Sequence, residues 1–239
     1  MTWKAVFFDL DDTLHDSMKP FQQALVNLFP DKANTLPVEQ FYQSTRHYSD
    51  LLWEEYENNR ITLKELRMKR IQLAGKDFGL NISNDEALCF QQEYEQRQQS
   101  LTLFPEAADM LTALKSNNYI IGIITNGPVN HQWKKIESLQ LTKWFDKELI
   151  FISDAVGFAK PNANIFQTAA KKVKLPPKNI LYIGDSWAND VVGALSAGWH
   201  AIWMNHRNRQ AETDHKPFAV INRHCELYSI LNIEHSRYT

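Results

Sequence analysis

Apolar residues along this chain fall into two arrangements. Short unbroken runs of strand length occur at 4–10, 119–125, 149–153, 180–184 and 200–204. In the first, Ala5-Val6-Phe7-Phe8 is continuous rather than alternating, which is the pattern of a strand covered on both faces. Between the later runs, apolar positions recur at helical spacing. One face carries Ala107, Met110, Leu111 and Leu114; a second carries Val129, Trp133, Ile136 and Leu139; a third carries Ile165, Phe166, Ala169, Ala170 and Val173. Pro105 and Pro161 suit first-turn positions and Gly198 a helix stop. Strands alternating with helices predict an α/β fold built on a doubly wound parallel sheet.

The interval after the first strand breaks this rhythm. No strand pattern occurs there, and Phe41, Tyr48, Leu52 and Tyr56 repeat at helical spacing. Thr62 with Glu65, and Ser83 with Glu86, match the capping box that opens a helix. Five glutamines lie within 91–99 and read as a solvated helix face. The expected organisation is therefore a core of residues 1–15 and 104–239, with a smaller all-helical domain, 16–103, inserted after the first strand.

Composition narrows the function classes. The chain has 239 residues, 44% apolar and 23% charged, close to a soluble globular average, which excludes disordered and collagen-like sequences. Its net charge of −2 supplies no broad basic field for a nucleic acid polymer or an anionic membrane. The apolar runs are too short to span a bilayer. Two cysteines, Cys89 and Cys225, read as packing residues in a reducing compartment, and the expected location is cytoplasmic.

The candidate chemistry sits at the ends of the strands. A parallel strand delivers its C-terminal end to the crevice where α/β proteins bind ligands. Asp9-Leu10-Asp11-Asp12-Thr13 closes the first run, placing two carboxylates two residues apart. The second run ends in Thr125-Asn126-Gly127, a hydroxyl and an amide before a turn glycine. Lys160-Pro161 lies in the loop after the third. The fourth ends in Gly184-Asp185-Ser186, with Asn189-Asp190 following on the next helix. Asp12 should project elsewhere by alternation. Any one of these elements has a structural explanation; their joint occurrence in this order points to one site.

In these four motifs the chain resembles the haloacid dehalogenase-like hydrolases, over about residues 4–204, with the insertion where that family places a helical cap. The resemblance implies a sheet with its first strand central, flanked by the second and fourth, beneath a cap that closes to exclude water. It implies a phosphomonoesterase working through an aspartyl-phosphate, with Asp9 as nucleophile. The implied metal is Mg²⁺, held by Asp9, the backbone carbonyl of Asp11, and Asp185. Lys160 supplies positive charge to Asp9 and the phosphoryl group. Thr125, Asn126 and nearby backbone N–H groups bind phosphoryl oxygens, and Asp190 orients Lys160 or a metal-bound water. Asp11 separates reaction classes: an alkoxide leaves poorly unless protonated, whereas a halide needs no proton. The family's dehalogenase branch lacks this second carboxylate, so Asp11 favours a phosphatase.

The expected substrate is a small phosphorylated metabolite. The stretch from Trp53 through Ile61-Thr62-Leu63-Lys64-Glu65-Leu66 to Arg67 and Arg70 looks like the cap of the pyrimidine 5′-nucleotidase subgroup, although Asn59-Arg60 and Ile71 depart from its pattern. Tyr48, Trp53 and Tyr56 are candidates to stack a base or to form the insertion's own core. A 2-haloacid dehalogenase, a sugar phosphomutase and a non-enzymatic binding protein are the alternatives. His15 is either a leaving-group contact or a hinge residue, and His206-Arg207-Asn208-Arg209 reads as surface. A monomer and a homodimer are equally compatible with the sequence.

Overall fold

The computed structural model describes residues 3–30 and 36–234. The chain divides into two compact units, Ser17–Leu101 and the combination of Met1–Asp16 with Thr102–Thr239.

The first strand, β1 (Ala5–Phe8), is buried along its whole length, as its continuous apolar run requires. Among the described residues, four α-helices follow in the smaller unit: α1 (Met18–Leu28), α2 (Val38–Glu57), α3 (Leu63–Asp77) and α4 (Asn84–Arg97). Both expected capping boxes are present, with Thr62 and Ser83 accepting from the backbone N–H of Glu65 and Glu86. The unit has its own core, in which Phe21, Phe41, Tyr42, Ile71, Phe90 and Tyr94 pack together. Tyr48 packs partly against this core; Trp53 and Tyr56 stand outside it, half-buried, with ring centroids 5.1 Å apart. The glutamine-rich face is only partly solvated. Gln91 and Gln98 are buried, and Gln91 accepts from the half-buried Arg70 at 2.9 Å. Cys89 is exposed on α4 rather than packed, because its neighbours Ala87 and Phe90 take the inward positions.

The larger unit continues with α5 (Ala107–Ser116), β2 (Ile120–Thr125), α6 (Val129–Ser138), β3 (Ile150–Ile152), α7 (Ala163–Val173), β4 (Ile180–Gly184), β5 (His200–Met204), β6 (Ala219–Ile221) and α8 (Glu226–Leu231). All six strands are parallel in the order β3-β2-β1-β4-β5-β6, so β1 lies between β2 and β4 as expected. Pro105 and Pro161 each stand one residue before the N-cap, of α5 and α7 respectively, not in the first turn. Three-residue β6 carries no clear run because it is an edge strand with Val220 exposed.

One face of the sheet packs Phe7, Ile124, Phe166, Tyr182, Trp199 and Trp203 into a single cluster. Gly122 makes that packing possible: a Cβ there would meet the Phe7 ring at 2.2 Å. Register then fixes the site. Phe8 pairs with Ile123 on one side and Ile183 on the other, so the next residue, Asp9, emerges between the ends of β2 and β4.

Candidate active site

Asp9 is anchored by its backbone N–H, which donates to the Ile183 carbonyl at 2.9 Å. Its Oδ1 accepts from Lys160 Nζ at 2.6 Å, and the same ammonium donates to Asp190 Oδ1 at 2.6 Å and to the Tyr182 hydroxyl at 2.9 Å. Lys160 is thus fully used: its three protons meet three oxygens. The Tyr182 hydroxyl in turn donates to the Ile124 carbonyl at 2.9 Å. Asp190 is fixed through its other oxygen, which accepts from the Ser186 backbone at 2.9 Å. It projects from a π-helical segment, Trp187–Val192, a widened turn that often re-aims a functional side chain. Gly184 leaves room for it, since a Cβ there would lie 2.4 Å from the Asp190 carboxyl. Asp190 is therefore in direct contact with Lys160.

Oxygens of Asp9, Asp185 and Asp190 lie within 4.8 Å of one another. At that separation two like charges repel by about 3 kcal/mol, taking an effective dielectric of about 20. Burial, followed by the push of Asp190 and Asp11 against the pull of Lys160, raises the Asp9 carboxyl to about 7. Burial with Asp12, Asp190 and Asp9 lifts Asp185 well above its ordinary value, opposed by Arg209. Burial works against the charge of Lys160, but Asp190 and Asp9 outweigh it and hold the ammonium above its usual range. This all-oxygen donor set fits a hard divalent cation. Asp9 meets Lys160 through Oδ1 and Asp185 meets Arg209 through Oδ2, so each has a second oxygen to offer, whereas both oxygens of Asp190 are engaged.

On the β2 side lies a second constellation. Thr125, buried at the end of β2, accepts from Gln132 Nε2, which also reaches Asp11 Oδ2 at 3.4 Å. Asp11 accepts from Lys135 Nζ through both oxygens at 2.7 Å, and from His15 Nε2 at 3.0 Å. His15 is thus buried against the Asp11 carboxylate. The side chain of Asn126 donates to the Lys160 carbonyl at 2.9 Å and accepts from the Lys160 N–H at 2.8 Å, so its amide holds the lysine's backbone.

The loop after β5 is not simply surface. Arg207 donates to Asp12 and Asp16 at 2.9 and 2.8 Å, Arg209 to Asp185 at 3.0 Å, and His206 to the Asp12 carbonyl at 3.0 Å. Crowded carboxylates draw these cations inward. Asp12, with φ at 57°, takes Arg207 as a partner, and its charge also acts on Asp185. Among the described residues, Asp9, Asp11, Asp12, Asp185 and Asp190 meet Lys135, Lys160, Arg207 and Arg209, with Lys160 shared by two carboxylates. Gln132 and Lys135 were not anticipated. Their signal was faint: two polar residues three apart on the flank of the apolar stripe of Val129 and Ile136.

Comparison with known proteins gives the family. The chain is 32% identical over 215 residues to a glyceraldehyde 3-phosphate phosphatase of Methanothermobacter thermautotrophicus, covering 89% of this chain and 90% of that one. It is 31% identical over 235 residues to the pyrimidine 5′-nucleotidase YjjG of Escherichia coli, covering 97% and 99%. The crystal structure of YfnB from Bacillus subtilis, bound to magnesium, superposes with a TM-score of 0.74 at 27% identity, covering 98% of this chain and all of that one. A family model described as haloacid dehalogenase-like hydrolase matches residues 3–198, a span that holds Asp9, Asp11, Thr125, Lys160, Asp185 and Asp190. The chain belongs to the haloacid dehalogenase-like hydrolases, and it is an enzyme of that hydrolase family.

Proposed function

We propose that this enzyme is a Mg²⁺-dependent phosphomonoester hydrolase that works through an aspartyl-phosphate on Asp9. The observation that carries this reading is a buried carboxylate, Asp9, sharing one ammonium with Asp190, while a second carboxylate, Asp11, stands two residues further along the same loop. A carboxylate approaching a phosphate dianion is repelled unless cations offset it. Lys160 provides one. Asp9 and Asp185, with the backbone carbonyl of Asp11, would hold Mg²⁺, whose contribution is to neutralise charge on the phosphoryl oxygens.

The steps for the protein's own residues follow. An Asp9 oxygen attacks phosphorus, the bond to the leaving oxygen breaks, and Asp11 in its acid form gives that oxygen a proton. Water then attacks the phosphorus of the aspartyl-phosphate and passes a proton to Asp11. The bond to Asp9 breaks, releasing inorganic phosphate. Thr125 is placed to donate to a phosphoryl oxygen, and Asp190 keeps Lys160 aimed at Asp9.

The substrate class is a small phosphorylated metabolite in the cytoplasm. The chemistry at the strand ends recognises only phosphate, so selection among metabolites falls to the helical unit of residues 17–101, which we read as the cap. Glyceraldehyde 3-phosphate and pyrimidine nucleoside 5′-monophosphates, named for the relatives, are the first compounds to assay. Asp9→Asn is expected to abolish phosphate release from an aryl phosphate while the circular dichroism spectrum persists. Turnover surviving that change would sink the reading, and halide release from a 2-haloacid in chelator would favour a dehalogenase. Asp11→Asn should slow alkyl phosphates more than aryl phosphates.

A further inference from the structure

Beyond these motifs, α6 brings two buried polar side chains to the site: Gln132 and Lys135, one turn apart, are almost fully buried although a lysine is rarely so. A buried ammonium is unfavourable unless a charged partner meets it with good geometry. Here it does. Lys135 grips both oxygens of Asp11 at 2.7 Å, His15 holds Oδ1 at 3.0 Å, and Gln132 spans the short interval between Asp11 and the Thr125 hydroxyl. These partners leave Asp11 little rotational freedom, and they tie its position to the group aimed at the phosphoryl oxygens.

We infer that Lys135, seconded by Gln132, is the positioning residue for the proton-transferring carboxylate: α6 holds Asp11 at the Thr125 side of the crevice, and Lys135 acts on the reaction only through Asp11. The inference rests on the phosphatase reading given above. The balance of steps makes it specific. With p-nitrophenyl phosphate the leaving group departs without a proton, so the first half-reaction, transfer of the phosphoryl group to Asp9, needs no acid. The second half-reaction does need Asp11, to take the proton from the attacking water. Displacing Asp11 should therefore spare the first turnover and stall hydrolysis of the aspartyl-phosphate.

Rapid mixing of p-nitrophenyl phosphate and Mg²⁺ with the full-length protein tests this. For Lys135→Met, a burst of one equivalent of nitrophenolate is expected at the wild-type rate. Steady-state turnover should fall by about 10- to 100-fold, the scale of a misplaced catalytic group. Lys135→Arg, which keeps a two-point grip on the carboxylate, should restore most of that loss. Steady-state turnover within twofold of wild type in folded Lys135→Met, or an equal slowing of burst and steady state, would overturn the inference. Should Lys135→Met fail to fold, Asp11→Asn/Lys135→Met leaves no orphaned charge. It should turn over no more slowly than Asp11→Asn alone, and a further tenfold drop would show that Lys135 acts elsewhere. A wild-type protein releasing no phosphate would instead overturn the phosphatase reading, and the role of Lys135 with it.

Discussion

Mg²⁺ should stabilise this protein, and pH should decide by how much. A carboxyl that ordinarily titrates near 3.8 and here titrates near 7 carries about 4 kcal/mol against its charged form. Because the folded value is the higher one, Asp9 costs the metal-free fold nothing below about pH 4. Its cost grows between about pH 4 and pH 7 and is complete above that. A divalent cation between Asp9 and Asp185 removes that cost but must displace the proton first. At pH 8, Mg²⁺ at a hundredfold above its dissociation constant contributes about 2.7 kcal/mol. For a chain of this size each kcal/mol moves the melting temperature by about 2–4 °C, so a rise of about 5–10 °C is expected. At pH 5 only about one Asp9 in a hundred is ionised, and the same Mg²⁺ concentration adds about 0.4 kcal/mol, a rise of about 1 °C. The assay is thermal unfolding in chelator and in Mg²⁺ at both pH values, for the wild type, Asp9→Asn and Asp185→Asn. Both variants should lose the Mg²⁺ increment. An increment equal at pH 5 and pH 8, or one retained by Asp185→Asn, would refute the reasoning.

Two further outcomes follow from buried groups. Burial pushes the His224 imidazole down to about 4, against a backbone hydrogen bond to Thr13 and the charge of Glu106. The folded state binds this proton less readily than the unfolded chain, so stability is full above pH 6.5 and falls by about 3 kcal/mol as pH drops towards 4. Urea unfolding at pH 7 and pH 4.5 should show a smaller acid loss for His224→Phe than for wild type, and equal losses would count against this assignment. Asn126→Ala removes two hydrogen bonds that tether the backbone of Lys160, each worth about 1 kcal/mol. Turnover of an aryl phosphate should drop by about tenfold through misplacement of the ammonium. Unchanged turnover would mean that the partners of the lysine's side chain suffice to hold it.

The sequence by itself determined the strand runs, the parallel sheet, the capping boxes at Thr62 and Ser83, and the carboxylates, hydroxyl and lysine at the strand ends, while the place of β1 between β2 and β4 was implied by the family resemblance. It could do so because apolar periodicity and helix capping act over a few residues, and because a parallel sheet carries the C-terminal ends of its strands to one edge. Only the tertiary structure decided which partner each charge takes. Asn126 ties down the backbone of Lys160, Arg207 and Arg209 fold back onto Asp12 and Asp185, and Lys135 reaches Asp11 from 124 residues away. The reason is the range of the force: a buried charge must find its opposite wherever packing brings one near, and separation along the chain has no bearing on which one that is.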